Sequence, residues 1–504
     1  MRMQATSGGR LSFFGLGVAL ALAAGLSACG GSDEAVAPLP EETRLQDSRI
    51  YTLGTGLAEA TSFDALTGHE DTSRWAGVLN GAAYRIEVPA NWNGKLVMYA
   101  HGYRGGDTVP LTVSNVSIRR HLLAQGYAWA ASSYSKNFYD VRAGLEDTNA
   151  LARAFNQIAA ANGRPLAVPT RHYIMGHSMG GHIAGAAVER ETLETVNNRM
   201  TYDGALPMCG VMGDTELFDT FAGIQLAAQA LAGVPAYPRE RWTDISALVT
   251  STLFNSTSVT SLVTANVPVA GQQLMSVVKN LTGGERPMVK EGFQYGRSFA
   301  SPWGSLGGDG SINGILNRSV LDTRDIVYQI DGDTAASDSL NASALRATPD
   351  ADANRLRRDG LRWIPQVNGQ IDVPVLTIHT LGDLFVPFSM QQVYKRRVDA
   401  QGNSARLVQR AIRGVSHCDF TLAEQATAFD DLVNWVENGV TPAGDDVLTP
   451  ATVAAPSYGC AFTNNTLASQ LTEESSTTVA FGGIRTLAAQ ACVVVPAAAT
   501  APAS

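Results

Sequence analysis

The stretch RHYIMGHSMGGHIAGAAVE, residues 171–189, decides how this chain is read. It predicts a strand over Arg171–Met175, a sharp turn through Gly176-His177-Ser178-Met179-Gly180, and a helix of small residues from Met179 to about Glu191. A hydroxyl is a poor nucleophile unless it is held clear of the backbone and beside a base. A strand-to-helix turn does the holding, and the glycines around Ser178 let the backbone pass without Cβ clashes. A Gly-x-Ser-x-Gly pattern also arises by chance in a Gly- and Ser-rich chain, so its surroundings must carry the reading.

Those surroundings are strands alternating with helices. Residues 81–89 alternate, and Lys95–Ala100 is an apolar run that ends at His101-Gly102. A helix follows over Ser117–Gln125, then the run Tyr127–Ala131, an amphipathic helix over about Leu145–Ala161, and a strand at Tyr202–Met208. Such alternation predicts an α/β fold, with a mostly parallel sheet covered by helices on both faces. After Asp214 the rhythm stops. Residues 215–368 read as helical runs (Leu217–Leu231, Val259–Leu281) joined by Gly/Ser/Asp loops such as 301–310. The sheet pattern resumes at Val373–His379 and Ala405–Ile412, and a last helix covers Thr421–Glu437.

Two loops complete a chemical pattern. Asp383 lies just beyond the Val373–His379 strand, and His417 follows the Ala405–Ile412 strand. The order Ser178…Asp383…His417 is that of the α/β-hydrolase triad, and over roughly 75–214 and 370–440 the chain resembles serine esterases and lipases of that superfamily. The resemblance implies Ser178 as nucleophile, His417 as base and Asp383 as its orienting acid. It also implies an oxyanion hole from the backbone N–H of Met179 and of Tyr103, because His101–Gly106 is similar to the HG-x-x-G loop of lipases and esterases. Residues 215–368 then stand where this superfamily carries a helical cap. No cofactor and no metal are expected.

The chain has eight His, so the base needs defending. His172 and His379 lie within strands, His182 one helical turn after Ser178, and a strand, a turn and a helix do not bring His172, His177 and His182 to one metal ion. Asp372 and Asp419 read as surface charges.

The N-terminus carries an address. Arg2 and Arg10 precede an apolar run from Leu11 to Leu26, which is short for a membrane span of about 20 residues. Leu26-Ser27-Ala28-Cys29 resembles the lipobox of bacterial lipoproteins, implying cleavage after a signal peptide (1–28), acylation of Cys29 and a tether over 29–46. The implied partner is a lipid bilayer, and the implied place the outer membrane, facing periplasm or cell surface. The core halves are then 47–214 and 369–440, split by 215–368, with a C-terminal extension and disordered tail over 441–504. Four further Cys in an oxidising compartment allow three pairings. Within the family's fold, Cys209 with Cys418 joins two active-site loops, and Cys460 with Cys492 closes a C-terminal loop.

Composition agrees with these readings. Among 504 residues, 45% are hydrophobic and 16% charged, which excludes a disordered chain. A net charge of −9 argues against nucleic acid as a partner. The expected activity is hydrolysis of carboxylic esters, bulky aromatic or oligomeric polyester-type ones, by a secreted, lipid-anchored enzyme. The rivals are a serine peptidase or amidase on the same triad, and a non-catalytic binding lipoprotein.

Overall fold

The strands are β1 (Ser73–Leu79), β2 (Ala82–Val88), β3 (Lys95–Ala100), β4 (Ala128–Ser132), β5 (Arg171–His177), β6 (Gly204–Met208), β7 (Val375–Thr380) and β8 (Leu407–Ile412). They form one sheet in the order β1-β2-β4-β3-β5-β6-β7-β8. The β1–β2 and β2–β4 pairs are antiparallel and all the others parallel. Register pairs Ala100 with Gly176, His177 with Met208, and Thr380 with Ile412, so the loops leaving these strands gather along one edge. With its helices this is the α/β-hydrolase fold that the family resemblance implies, and the mostly parallel sheet is the one expected from the strand–helix alternation. The computed structural model describes residues 51–53, 63–106, 109–255, 267–295, 298–312, 314–357, 360–464 and 492. The expected signal peptide (1–28) and tether with Cys29, and the expected disordered tail, lie outside the described residues.

The helices used below are α1 (Arg119–Ala124), α2 (Val141–Ala161), α3 (Met179–Ala186), α4 (Glu216–Leu231), α5 (Trp242–Phe254), α6 (Val269–Leu281), α7 (Ser389–Ala400) and α8 (Leu422–Asn438). Side chains alternate across a strand, so each strand of the sheet feeds two cores. Leu96, Met98 and Ile174 pack with Leu145 and Phe155 of α2 and Ile183 of α3. Val97, Tyr99 and Met175 pack on the other face with Leu122 of α1 and Phe429 and Leu432 of α8.

Local chemistry sets the helix ends. α2 starts earlier than its amphipathic pattern indicates, because Asp140 caps it by accepting the Ala143 N–H at 2.9 Å. α8 opens on a capping box between Thr421 and Glu424 and ends at Gly439 in the left-handed region. The single helix expected over Val259–Leu281 is not found: α6 starts only at Val269, after non-helical Val267 and Pro268. Proline disfavours helical backbone in the residue before it and lacks an N–H. The helix expected to run to Glu191 ends at Ala186, and a second short one covers Arg190–Thr195.

Among the described residues of 215–368 there is no strand, and α4, α5 and α6 share their own core with Phe299 and Trp303. One buried carboxylate staples both roots of this segment. Asp214 accepts the Val367 N–H at 3.0 Å and the Arg397 guanidinium of α7 at 2.6 Å, and Arg397 also donates to Val367 O at 2.9 Å. Residues 447–458 pack against the sheet, with Val447, Val453 and Tyr458 on Leu381, Ala411 and Val415. Among the described residues no helix is long and apolar enough to cross a membrane.

Candidate active site

Ser178 stands at the turn between β5 and α3 with φ 59°, a conformation costly for any residue bearing a Cβ. Two close approaches hold it there. A Cβ on Gly176 would meet Gly180 O at 2.3 Å, and one on Gly180 would meet Ala100 O at 2.0 Å, so the elbow closes only with glycine at both places. The Ser178 N–H donates to Met208 O at 3.0 Å, tying the turn to β6.

The structure brings Ser178, Asp383 and His417 together. His417 Nε2 lies 2.8 Å from Ser178 Oγ, and His417 Nδ1 lies 2.6 Å from Asp383 Oδ2. A carboxylate only accepts, so the proton of the neutral imidazole sits on Nδ1 and leaves Nε2 to accept the Ser178 hydroxyl. Asp383 is fully buried, and its Oδ1 accepts the N–H groups of Phe385 at 2.9 Å and Val386 at 3.0 Å.

The loop after β3 passes directly over Ser178: a Cβ on Gly102 would lie 3.3 Å from Ser178 Cβ. His101 is stacked on Tyr134 at 4.0 Å, and Tyr134 donates its hydroxyl to His101 O at 3.0 Å. Arg104 anchors the rest of the loop through Thr112 and through Ser114 Oγ at 2.7 Å. Tyr103 and Ser178 face the same cavity. Met179 opens α3, and a first-turn N–H has no partner within its own helix.

The other histidines are engaged elsewhere. His182 contacts the Tyr139 hydroxyl at 2.8 Å and Pro365 O at 2.7 Å, while His177 Nδ1 lies 3.1 Å from the Tyr99 hydroxyl. His379 Nε2 lies 2.8 Å from Val386 O, and the Gln391 amide meets its Nδ1 at 3.2 Å. Burial pushes His101 down to about 3 and His177 and His379 to about 4, and it also lowers His172 and His182. These rings are neutral in the fold and take up protons on unfolding below about pH 6.5. Asp147, Glu189 and Asp219 are raised by burial to about 6, 7 and 7, and shed protons on unfolding over an overlapping range. The two sets act in opposite directions, so proton uptake by the rings is offset by release from the carboxyls as pH falls.

Cys209, at the end of β6, and Cys418, beside His417, form a disulfide with Cα atoms 5.3 Å apart, and Cys460 pairs with Cys492. Both pairings match the expectation. Cys209, Cys418 and His417 cluster as metal ligands would, yet the two sulfurs are bonded to each other and offer no thiolate. Replacing Cys209 and Cys418 together by alanine is expected to cost about 2–5 kcal/mol in denaturant unfolding. Because the bridge fixes the residue next to His417, kcat falls as well; unchanged unfolding and unchanged kcat both contradict this role.

One expectation is corrected here. Asp419 is not a surface charge: it is 4% exposed and its Oδ2 accepts the Val415 N–H at 3.2 Å, shaping the His417 loop from inside. No sequence pattern marks such a bond, because it depends on how the loop between β8 and α8 folds back on itself. Asp372 does lie at the surface, paired with Arg190.

A cavity of about 530 Å³ opens above Ser178. One wall is aromatic: Phe385 meets His417 edge-on at 5.4 Å, stacks on Phe221 at 5.8 Å, and Phe221 meets Phe218. The cavity is also lined by the glycine-rich segment 304–312. Gln225 of α4 holds that loop by accepting the Gly307 N–H at 2.9 Å, and Arg239 donates to Gly308 O. The glycine density of this loop is visible in the sequence, but its place over Ser178 is not.

No family model matches the chain. It is 23% identical over 420 residues to the o-phthalyl amidase of Xanthobacter agilis, covering 72% of this chain and 87% of that protein. Among solved structures it is similar to feruloyl esterase B from Aspergillus oryzae, at 16% identity and a TM-score of 0.41, over 76% of this chain and 84% of that one. An esterase from Aspergillus oryzae is similar at 13% identity and a TM-score of 0.41, over 80% and 86% of the two chains.

Proposed function

We propose that this protein is a serine hydrolase that cleaves carboxylic esters of bulky aromatic or oligomeric acids through an acyl-enzyme. The observation that carries the reading is the hydrogen-bond chain Ser178–His417–Asp383, placed at the floor of an aromatic-walled cavity. His417 takes the Ser178 proton as Oγ attacks the substrate carbonyl, and Asp383 holds the ring in the productive tautomer and stabilises the imidazolium. The N–H groups of Met179 and Tyr103 receive the oxyanion of the tetrahedral intermediate, where one donor is typically worth about 3 kcal/mol. His417 then protonates the leaving group, and water activated by the same ring releases the acid. Phe218, Phe221 and Phe385 suit a flat acyl group, which gains from offset or edge-on ring contacts.

A second reading, amide cleavage on the same three residues, is favoured by the amidase relative. A panel of nitrophenyl esters, from acetate to benzoate and longer acyl chains, set beside matched anilides separates the two. Esters turned over faster than anilides are the expected result; turnover of anilides alone overturns the ester reading.

The reading also places the mature chain outside the cytoplasm, acylated at Cys29 and held to a bilayer. The two disulfides support an oxidising compartment. Mass spectrometry of protein recovered from membranes is expected to find a diacylglyceryl group on an N-terminal Cys29; any other N-terminus overturns the anchor.

A further inference from the structure

Asp383 needs a rigid backbone if it is to hold His417 at 2.6 Å. Part of that rigidity comes from the sheet: Leu381 donates its N–H to Ile412 O at 2.8 Å, and Gly382 to Gly414 O at 2.9 Å. The rest comes from the segment inserted between β6 and β7. The Ser298 hydroxyl donates to Gly382 O at 2.7 Å and accepts the Leu384 N–H at 2.7 Å, so one side chain ties the peptides on both sides of Asp383. Arg286 donates its Nε–H to Leu381 O at 2.8 Å, and its other donors go to Gly284 O at 2.8 Å and Thr282 Oγ1 at 3.4 Å. Gly292 packs so closely that a Cβ there would lie 2.4 Å from Gly382 O. Ser298 and Arg286 are 1% and 2% exposed.

The charge at this place points the same way. The hydrogen-bond acceptors of Arg286 are neutral oxygens, so its burial is not offset by a directly bonded carboxylate. Burial lowers its guanidinium to about 10, and the leading influence acting against that is the Asp383 carboxylate. Arg286 thus supplies a buried positive charge to a carboxylate that must stay ionised beside His417.

We propose that Ser298 and Arg286 are positioning residues for Asp383, so that the inserted segment is a working part of the acid loop as well as a wall of the cavity. The proposal rests on the serine-hydrolase reading above. It makes kcat depend on the insertion even for an ester too small to fill the cavity.

The test uses the full chain and 4-nitrophenyl acetate, with Ser298→Ala, Ser298→Thr, Gly292→Ala and Asp383→Asn measured in parallel. Ser298→Ala is expected to lower kcat by about 10–100-fold while KM stays within about twofold, as a small misplacement of a catalytic group does. The acid limb of kcat/KM moves to lower pH, because a loosened Asp383 stabilises the imidazolium less. Ser298→Thr keeps the hydroxyl and restores most of kcat. Gly292→Ala pushes on Gly382 from the same side and reproduces the loss independently, so the proposal does not hang on one variant folding. Parent kcat and an unmoved acid limb in folded Ser298→Ala and Gly292→Ala overturn it, provided Asp383→Asn is inactive. Parent activity in Asp383→Asn instead overturns the underlying triad reading.

Discussion

Replacing Ser178 by alanine is expected to lower kcat by about 10⁵–10⁶-fold, the scale on which removing the nucleophile of such a triad acts. The substitution is clean here. Ser178 already sits at φ 59°, so alanine inherits the same backbone strain and neither adds to it nor relieves it. Its Oγ makes the 2.8 Å contact with His417 Nε2, and the N–H that pins the elbow to Met208 O remains in the variant. Melting behaviour should therefore stay close to the parent while turnover of every ester in the panel is lost. An organophosphonate that labels activated serines should add its mass to the parent and not to Ser178→Ala. Turnover retained within tenfold would sink the nucleophile assignment, whatever the substrate proves to be.

The second large effect is expected from Asp383→Asn, about 10⁴-fold in kcat with the fold intact. Orientation follows from the hydrogen bonds. Asp383 Oδ1 accepts two backbone N–H groups, from Phe385 and Val386, and only an oxygen can do that. An asparagine keeps its carbonyl oxygen there, so its NH₂ must face His417 Nδ1. That forces the ring proton onto Nε2, where it meets the Ser178 hydroxyl and can no longer accept its proton. The variant is therefore trapped in the wrong tautomer by its own backbone contacts. A pH–rate profile should show a nearly flat, low rate, rising only where hydroxide takes over. A loss of less than tenfold would mean that Asp383 does not orient His417 during turnover.

Much of the architecture was legible in the residues. The β5–α3 elbow, the alternation of strands with helices and the resumption of sheet at Val375 are all patterns of near neighbours, and near neighbours set local backbone and hydrophobic period. Chain order then carried the pattern Ser178, Asp383, His417 across a gap of about 150 residues without sheet. Helix starts were less legible where a single residue decides them, as Asp140 and Pro268 do.

The chemical vocabulary of this protein is local and can be read along the chain: a hydroxyl on a strand-to-helix turn, an acid and an imidazole each on a strand-exit loop, and cysteines in even number beyond Cys29. How those words are held in place emerges only from the packed fold. Asp419 turned from a surface charge into a buried brace, Ser298 became a bridge across the acid loop, and Phe218, Phe221 and Phe385 became one wall. The difference is one of range. A strand or an elbow is specified by torsions and periodicity within a few residues, whereas a hydrogen bond between residues 298 and 384, or a ring stacked across 164 positions, exists only once distant segments share a core.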